Sequence, residues 1–426
     1  MRSFYPNNEN NSKISVLINA YACNPKWGSE PGMGWNWVVN IAKFCEVFVI
    51  TEGEWKDNIE EAIELLPQKA NIHFFYLPVS DNVRKMCWNQ GDWRFYYYYR
   101  KWQKRAYKKA LQIISDHKID IVHQLNMVGF REPGFLYKIN NIPFVWGPIG
   151  GMNNFPIEYL NGAKLKFKLF ARLKNFINNY QIRKHRRVRL AIERADCLIS
   201  AVPATYYNFL KYYSKKSILI GETGCYPVLR DKDNVDIRFS KSEYLNIIWV
   251  GQVYFRKQLS LALRTLSMLK NKNKVKLHIV TPSSLKELQV FKDEAEKLNV
   301  EQYCVWHGKL EHDKVIELMS KSQLFFFTSV VDETSTVILE AIECGLPILC
   351  FDTCGFGPIV DETIGYKIEL TNPNQSVVEF ASIIDEINSD REDLINKSLN
   401  TSMKLTSLSW EYKASLVVKE YENILK

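Results

Sequence analysis

Short apolar runs recur along this chain, and each is followed by a segment with helical spacing. In the first half the runs are 14–21, 46–50, 72–77, 119–125, 143–146 and 197–202. In the second they are 245–251, 275–280, 303–306, 324–327 and 346–351. Runs this short and this uniformly apolar suit strands buried on both faces of a parallel sheet. The periodic segments between them, among them 34–42, 55–66 and 93–115, predict helices. Strand alternating with helix predicts an α/β fold of doubly wound parallel sheets. The alternation lapses at 228–243, VLRDKDNVDIRFSKSE, which is charged and aperiodic. The chain accordingly divides into a flexible tail (1–13), a first domain (14–225), a linker (226–244), a second domain (245–405) and a terminal helix (406–426). The last is read from the amphipathic stretch 409–425.

Length and charge narrow the classes. At 426 residues and 46% hydrophobic content, the chain can build two or three domains with sizeable cores. No run approaches the roughly 18 consecutive apolar residues of a membrane-spanning helix. The opening MRSFYPNNENNSK is polar and lacks the apolar core of a secretory signal, so a cytosolic location is expected. Nine cysteines are scattered without metal-ligand spacing, which predicts reduced thiols. Net charge is +9, which points to an anionic partner: nucleic acid, a membrane surface or a ligand. Ten Lys/Arg fall within 164–189, with no acid between Glu158 and Glu193. Leu165, Phe167, Leu169, Phe170, Leu173, Phe176 and Ile177 interleave with them. Residues 164–195 read as one long helix, either with one buried and one solvated basic face, or lying on an anionic membrane surface. No recognition module accompanies the charge, which argues against nucleic acid.

The most informative stretch is 325–356, FFFTSVVDETSTVILEAIECGLPILCFDTCGF. It reads as strand, loop, helix, turn, strand. Thr334, Ser335 and Thr336 offer hydroxyls just before an apolar-periodic segment, as a helix start requires. Gly345 ends the helix and Pro347 prevents its return. A helix N-terminus at the carboxyl end of a parallel strand is an anion site, and phosphate is its usual guest. Asp332 in the loop can reach hydroxyls of a ligand above the strand ends. Glu340, eight positions on, can take both hydroxyls of a ribose. Phosphate, ribose and a polyhydroxy group together describe a sugar nucleotide.

Other loops add candidates. After the first run, CNPKWGSEPGMGW carries Gly28, Gly32 and Gly34, which permit backbone shapes closed to other residues and a close approach to a ligand. Gly147, Gly150 and Gly151 make a second flexible turn in WGPIGGMNNFP. His123 lies near the carboxyl end of its run, where ligands of such sheets bind, though a structural role fits as well. In WVGQVYFRKQLS, Gly251 ends a run, and Arg256 and Lys257 precede a helix. Lysine at a helix start opposes the dipole, so an anion is the natural reason for it. Asp231 and Asp233 form a DxD pair, read as coincidence because it sits in the linker.

These stretches carry a resemblance. Asp332, seven residues, Glu340, then Ala341, Cys344, Gly345, Leu346 and Pro347 resemble the E-x7-E segment of retaining family-4 glycosyltransferases of the GT-B fold. GSEPGMGW is similar to that family's first glycine loop, and WGPIGG and TCGFGP have counterparts in it. Gly251 to Gln258 resembles its G-R-x-x-x-x-K-G element. Lys257 matches, Gln252 stands where Arg is common, and Gln258 where Gly is common. The family more often has Glu at the position of Asp332.

The resemblance implies two Rossmann-like domains facing a cleft, with a terminal helix crossing back to the first. It implies transfer of a sugar from a nucleotide sugar to a hydroxyl of a glycan or lipid-linked acceptor, with retention, in surface polysaccharide biosynthesis. Lys257, helped by Arg256 and the helix start at Thr334–Thr336, is expected to hold the donor diphosphate. Glu340 is expected to hold ribose, Asp332 the sugar hydroxyls, and His123 to lie near the transferred sugar. Gly28, Gly32, Gly34, Gly150 and Gly151 are expected on the sugar and acceptor side. No metal or other cofactor is expected. On the membrane reading of the basic stretch, the chain would sit peripherally at the inner face of a membrane; on the other, that stretch is a packed helix with a solvated basic face. Two other readings stay open: a GT-B sugar-nucleotide epimerase, and a non-catalytic binder suggested by the departures at Gln252 and Asp332.

Overall fold

The computed structural model describes residues 13–89, 92–227, 238–239, 242–333 and 335–426. Two parallel sheets account for the alternation read from the sequence. The first holds β1 (Ser15–Ala20), β2 (Glu46–Thr51), β3 (Ile72–Tyr76), β4 (Ile121–Asn126), β5 (Phe144–Ile149), β6 (Cys197–Ser200) and β7 (Ile218–Leu219), in the order β3-β2-β1-β4-β5-β6-β7. The second holds β8 (Leu245–Val250), β9 (Val275–Val280), β10 (Cys304–Gly308), β11 (Leu324–Phe327), β12 (Ile348–Phe351) and β13 (Gly365–Ile368), in the order β10-β9-β8-β11-β12-β13. The α/β class and doubly wound topology are those the alternation predicts. β13 was not anticipated: GYKI is four residues with no apolar run.

Both sheets are buried on both faces, which is why their strands lack polar alternation. Val16, Leu17, Ile18, Val47, Val49 and Val122 are inaccessible in the first, as are Ile248, Leu324, Phe325, Ile348 and Leu349 in the second. One face of the first sheet is completed by the helix Trp410–Leu425, whose Trp410, Ala414, Val417, Val418 and Tyr421 join the cluster around Val16 and Trp37. Ser409 caps that helix by accepting from Tyr412 N–H. Cys225, just past the first sheet, bonds to the backbone of Leu408 and Trp410, so the segment leaving the first domain and the one returning to it run side by side.

The long basic stretch differs from expectation. It forms two helices, Leu165–Lys184 and Arg186–Arg194, broken at His185, whose backbone is extended (φ −70°, ψ 108°) and whose ring caps the second helix. Only Ala171, Asn178 and Ile182 of the first are buried, while Leu165, Leu169, Leu173 and Phe176 are more than half exposed. A long amphipathic helix thus turns its wide apolar face outward.

Candidate active site

In each sheet the strand order reverses between two neighbours, β1 with β4 and β8 with β11. Ligands of open parallel sheets bind beyond the carboxyl ends of such strands. The loops after all four strands converge on two adjoining cavities of about 360 and 400 Å³.

On the second-domain side, the loop after β8 is tied to the loop after β11. Thr328 Oγ1 donates to the carbonyl of Lys257 at 2.7 Å, and Val330 N–H donates to that of Arg256 at 2.9 Å. This fixes the direction of the Lys257 side chain, which is 8% exposed and lies over the Phe327 ring. Lys257 Nζ and Arg256 Nη1 both approach Asp332 Oδ2, at 2.6 and 3.0 Å. Two cations share one carboxylate, so the group keeps a net positive charge toward the cavity. Burial lowers the pKa of Lys257, and Asp332 opposes that. Asp332 is itself held from behind, its N–H donating to Cys354 Sγ in the TCGFGP loop.

Beside this cluster begins the helix Thr336–Glu343, with Ser335 at its N-cap and no side-chain cap bond. Among the described residues no side chain caps its first N–H groups, an arrangement suited to an anion. Thr334 lies outside the described residues. Glu340, with its pKa raised by burial, lines the 400 Å³ cavity with Gly251, Gln252, His312 and Val337. Arg256, Lys257 and Ser335 line both cavities, so one cationic edge joins them. Gln258 has φ +51°, a left-handed backbone, which explains why glycine is common at this position in the resembling element.

The first domain contributes Ser29, Glu30, Met33, Val128, Glu222 and Thr223 to the 360 Å³ cavity. Here the glycines act otherwise than expected. The helix starts at Ser29 rather than Gly34, and Gly28, Gly32 and Gly34 all have negative φ. Gly32 and Gly34 serve close packing: a Cβ on them would lie 2.0 Å from the Trp27 carbonyl oxygen and 2.2 Å from that of Ala22. Gly28 needs no such room. Together they set Glu30 at the cavity. In the second glycine turn Gly151 has φ +80°, and its N–H donates to Glu333 Oε1 at 2.9 Å. A Cβ on Gly150 would sit 2.5 Å from Glu333 Oε2.

Glu30 and Glu333 are the residues the sequence reading missed. Glu30 Oε1 accepts from Val128 N–H at 2.9 Å, and the Oε2 of each is buried without a hydrogen-bond partner. Burial, with Glu222 adding repulsion, pushes both carboxyls up to about 7. Such groups exchange protons near neutral pH and can hold a sugar hydroxyl as donor or acceptor. The available signals were that Glu30 lies inside GSEPGMGW and Glu333 adjoins Asp332. Among the described residues, no three of His, Cys, Asp and Glu gather as a metal site.

His123 is a correction. It lies on β4, wholly buried and absent from the cavity walls. Its Nε2 donates to the Gly147 carbonyl at 2.7 Å, which leaves Nδ1 to accept from Tyr421 O–H at 2.5 Å. Burial depresses its pKa to about 4 and keeps it neutral. Its work is to anchor the terminal helix to the first sheet.

With this geometry in view, the likenesses to known proteins are specific. Residues 231–401 match the family described as glycosyl transferases group 1. No curated protein matches the sequence. Among solved structures, WaaG, a glycosyltransferase involved in lipopolysaccharide biosynthesis, is similar at 18% identity and TM-score 0.55, over 96% of this chain and 99% of that one. Anabaena Alr3699/HepE, solved with UDP and glucose, is similar at 13% identity and TM-score 0.58, over 96% and 100%. The lipopolysaccharide outer core galactosyltransferase WaaB is similar at 12% identity and TM-score 0.61, over 97% and 99%. At such identities the structural likeness carries the fold, which is GT-B, and the family match covers the stretch that holds Lys257, Asp332 and Glu340. Residues 231–401 of this chain are thus similar to group 1 glycosyl transferases, in a molecule whose whole fold is GT-B.

Proposed function

We propose that this protein transfers a sugar from a nucleotide-sugar donor to a hydroxyl of a glycan or lipid-linked acceptor, with retention of configuration, in the building of a surface polysaccharide. One observation carries the reading. Arg256, Lys257, the open helix start at Ser335 and Glu340 surround two adjoining cavities at the switch points of both sheets. A diphosphate on Arg256 and Lys257 gains charge as the bond from sugar carbon to phosphate oxygen breaks, and a fixed positive edge stabilises that growing charge. Glu340 holds the ribose hydroxyls, and Asp332, Glu30 and Glu333 face the sugar. No metal ion is called on. The capture of UDP and glucose by Alr3699/HepE supports a donor of this class.

The basic helix Leu165–Lys184 is read as lying on an anionic membrane surface. Its outward apolar residues enter the headgroup region, and each lysine or arginine near such a surface adds about 1 kcal/mol. No helix among the described residues is long and apolar enough to cross a membrane.

The test is thermal unfolding with UDP-, GDP-, ADP- and CMP-sugars, on wild type and Glu340→Ala. A ligand at 100 times its dissociation constant stabilises by about 2.7 kcal/mol. One sugar nucleotide is expected to raise the wild-type midpoint and to lose most of that effect in the variant. Release of free nucleotide only when acceptor is added separates transfer from epimerisation. No shift with any donor, in a variant and wild type that both fold, would sink the proposal.

A further inference from the structure

A third cavity, of about 450 Å³, lies between the helix Leu165–Lys184 and the loop after β8, and the donor reading leaves it unused. It shares Arg256 and Glu333 with the 360 Å³ cavity and Tyr254 and Arg256 with the 400 Å³ one, so it adjoins the reacting region. Its wall is aromatic. Phe155 stacks on Phe255 at 6.0 Å, and Phe167 meets Phe255 edge-on at 4.9 Å. Phe170 and Ala171 continue that wall along the helix.

Besides Arg256, two cations stand in this apolar setting. Arg131 is half-buried, its Nε donating to Gln181 at 2.6 Å and its Nη2 to Asn178 at 2.5 Å. Its Nη1 comes within 3.7 Å of where a Cβ on Gly151 would lie. Fixed by two amide side chains, Arg131 presents a pre-aimed charge rather than a mobile one. Lys174 follows Phe170 by one helical turn and is exposed. Beyond the cavity the apolar surface continues outward over Leu169, Leu173 and Phe176, with cations interspersed and no acid on the helix. A water-soluble glycan has no use for that path. An amphiphile carried at a membrane surface does.

We propose that this cavity is the acceptor site and that it takes a lipid phosphate or diphosphate bearing the hydroxyl to be glycosylated. The first apolar units lie against Phe167 and Phe170, the phosphate on Arg131 and Lys174, and the hydroxyl reaches Glu333. This rests on the transferase reading for the identity of the site as an acceptor site, though its ligand chemistry stands on the cavity alone.

The experiment uses the full chain with farnesyl phosphate, farnesol and inorganic phosphate, by calorimetry. Wild type is compared with Phe167→Ala/Phe170→Ala and with Lys174→Glu, whose exposed position leaves folding intact. Farnesyl phosphate is expected to bind at least tenfold tighter than farnesol or phosphate alone. The double alanine variant should weaken both prenyl ligands at least tenfold, and Lys174→Glu should weaken farnesyl phosphate alone at least fivefold. Inorganic phosphate binding as tightly as farnesyl phosphate would mark a simple anion site and overturn the proposal. So would farnesyl phosphate binding indifferent to Lys174→Glu. The sugar-nucleotide shift, measured on the same proteins, separates the two readings. Its loss with farnesyl phosphate binding kept removes the transferase and leaves the lipid-phosphate site standing.

Discussion

Gly151 donates its backbone N–H to Glu333 Oε1 at 2.9 Å, and that bond joins the loop after β5 of the first sheet to the loop after β11 of the second. The neighbouring Gly150 has no Cβ because the other oxygen of the same carboxylate occupies the space, 2.5 Å from where one would be. The domains therefore meet across a position where any Cβ would press on the Glu333 carboxylate. Gly150→Ala should displace Glu333 by about an ångström, and misplacements of that size cost about 10²-fold in rate. The expected result is a loss of transfer at saturating donor with an unchanged circular-dichroism spectrum.

Glu30 and Glu333 set a pH dependence of stability. Both carboxyls are raised from 4.5 to about 7 in the folded chain, chiefly by burial. Between those values the folded state binds more protons than the unfolded state, so stability falls as pH rises through the window and levels off above it. Urea midpoints from pH 5 to 8 should show the decline. Glu30→Gln and Glu333→Gln should each flatten it and stabilise the chain at pH 8, while slowing transfer.

Asp332 is the shared counter-ion of Lys257 and Arg256. Asp332→Ala leaves a buried ammonium beside a guanidinium, and breaking such a pair costs about 3 kcal/mol. The variant should melt lower than Lys257→Ala. Inorganic pyrophosphate, entering where a donor diphosphate would, should restore part of the loss in Asp332→Ala and none in Lys257→Ala. Differential scanning calorimetry with and without the anion reads both.

Tyr421→Phe removes the proton that His123 Nδ1 accepts. Leaving a buried acceptor unsatisfied costs about 1–3 kcal/mol. Turnover per folded molecule should not change, which a role for His123 in the chemistry would not allow. His123 adds its own pH term: its folded pKa near 4 lies below the unfolded value of 6.5, so its contribution is lost as pH falls from 6.5 toward 4. A denaturation series in that range, on His123→Gln and wild type, isolates it.

Gln258 pays a steric penalty at φ +51°. Left-handed backbone costs a side-chain-bearing residue about 1–2 kcal/mol, partly offset by the bond from its Nε2 to the Phe255 carbonyl. Gln258→Gly should raise stability by about 0.5–1 kcal/mol, the penalty less glycine's greater loss of chain entropy. Nucleotide-sugar affinity should be unchanged, as the thermal-shift panel would report.

Much of the fold was legible because strands buried on both faces leave plain apolar runs, as at Leu324–Phe327. Lys257, Asp332 and Glu340 could be grouped from sequence because they sit in the loops that follow β8 and β11 or in the helix that the latter loop opens. His123 misled for the same reason that β4 was easy to find. A strand buried on both faces gives no alternation to show which side a polar residue enters, and the partner of His123 lies 298 residues away. Glu30 and Glu333 were passed over because what distinguishes them is made by contacts 98 and 182 residues distant. The break at His185 was hidden because its neighbours keep helical spacing across it.

The terminal helix has a consequence for how the molecule is made. Trp410, Val417 and Tyr421 complete one face of a sheet whose first strand is Ser15–Ala20. During synthesis that strand leaves the ribosome almost 400 residues before its covering arrives. The earlier-made of the two domains is therefore completed only after the later one, and its apolar face stays open to chaperones, or to a second nascent chain, until residues 410–425 are made.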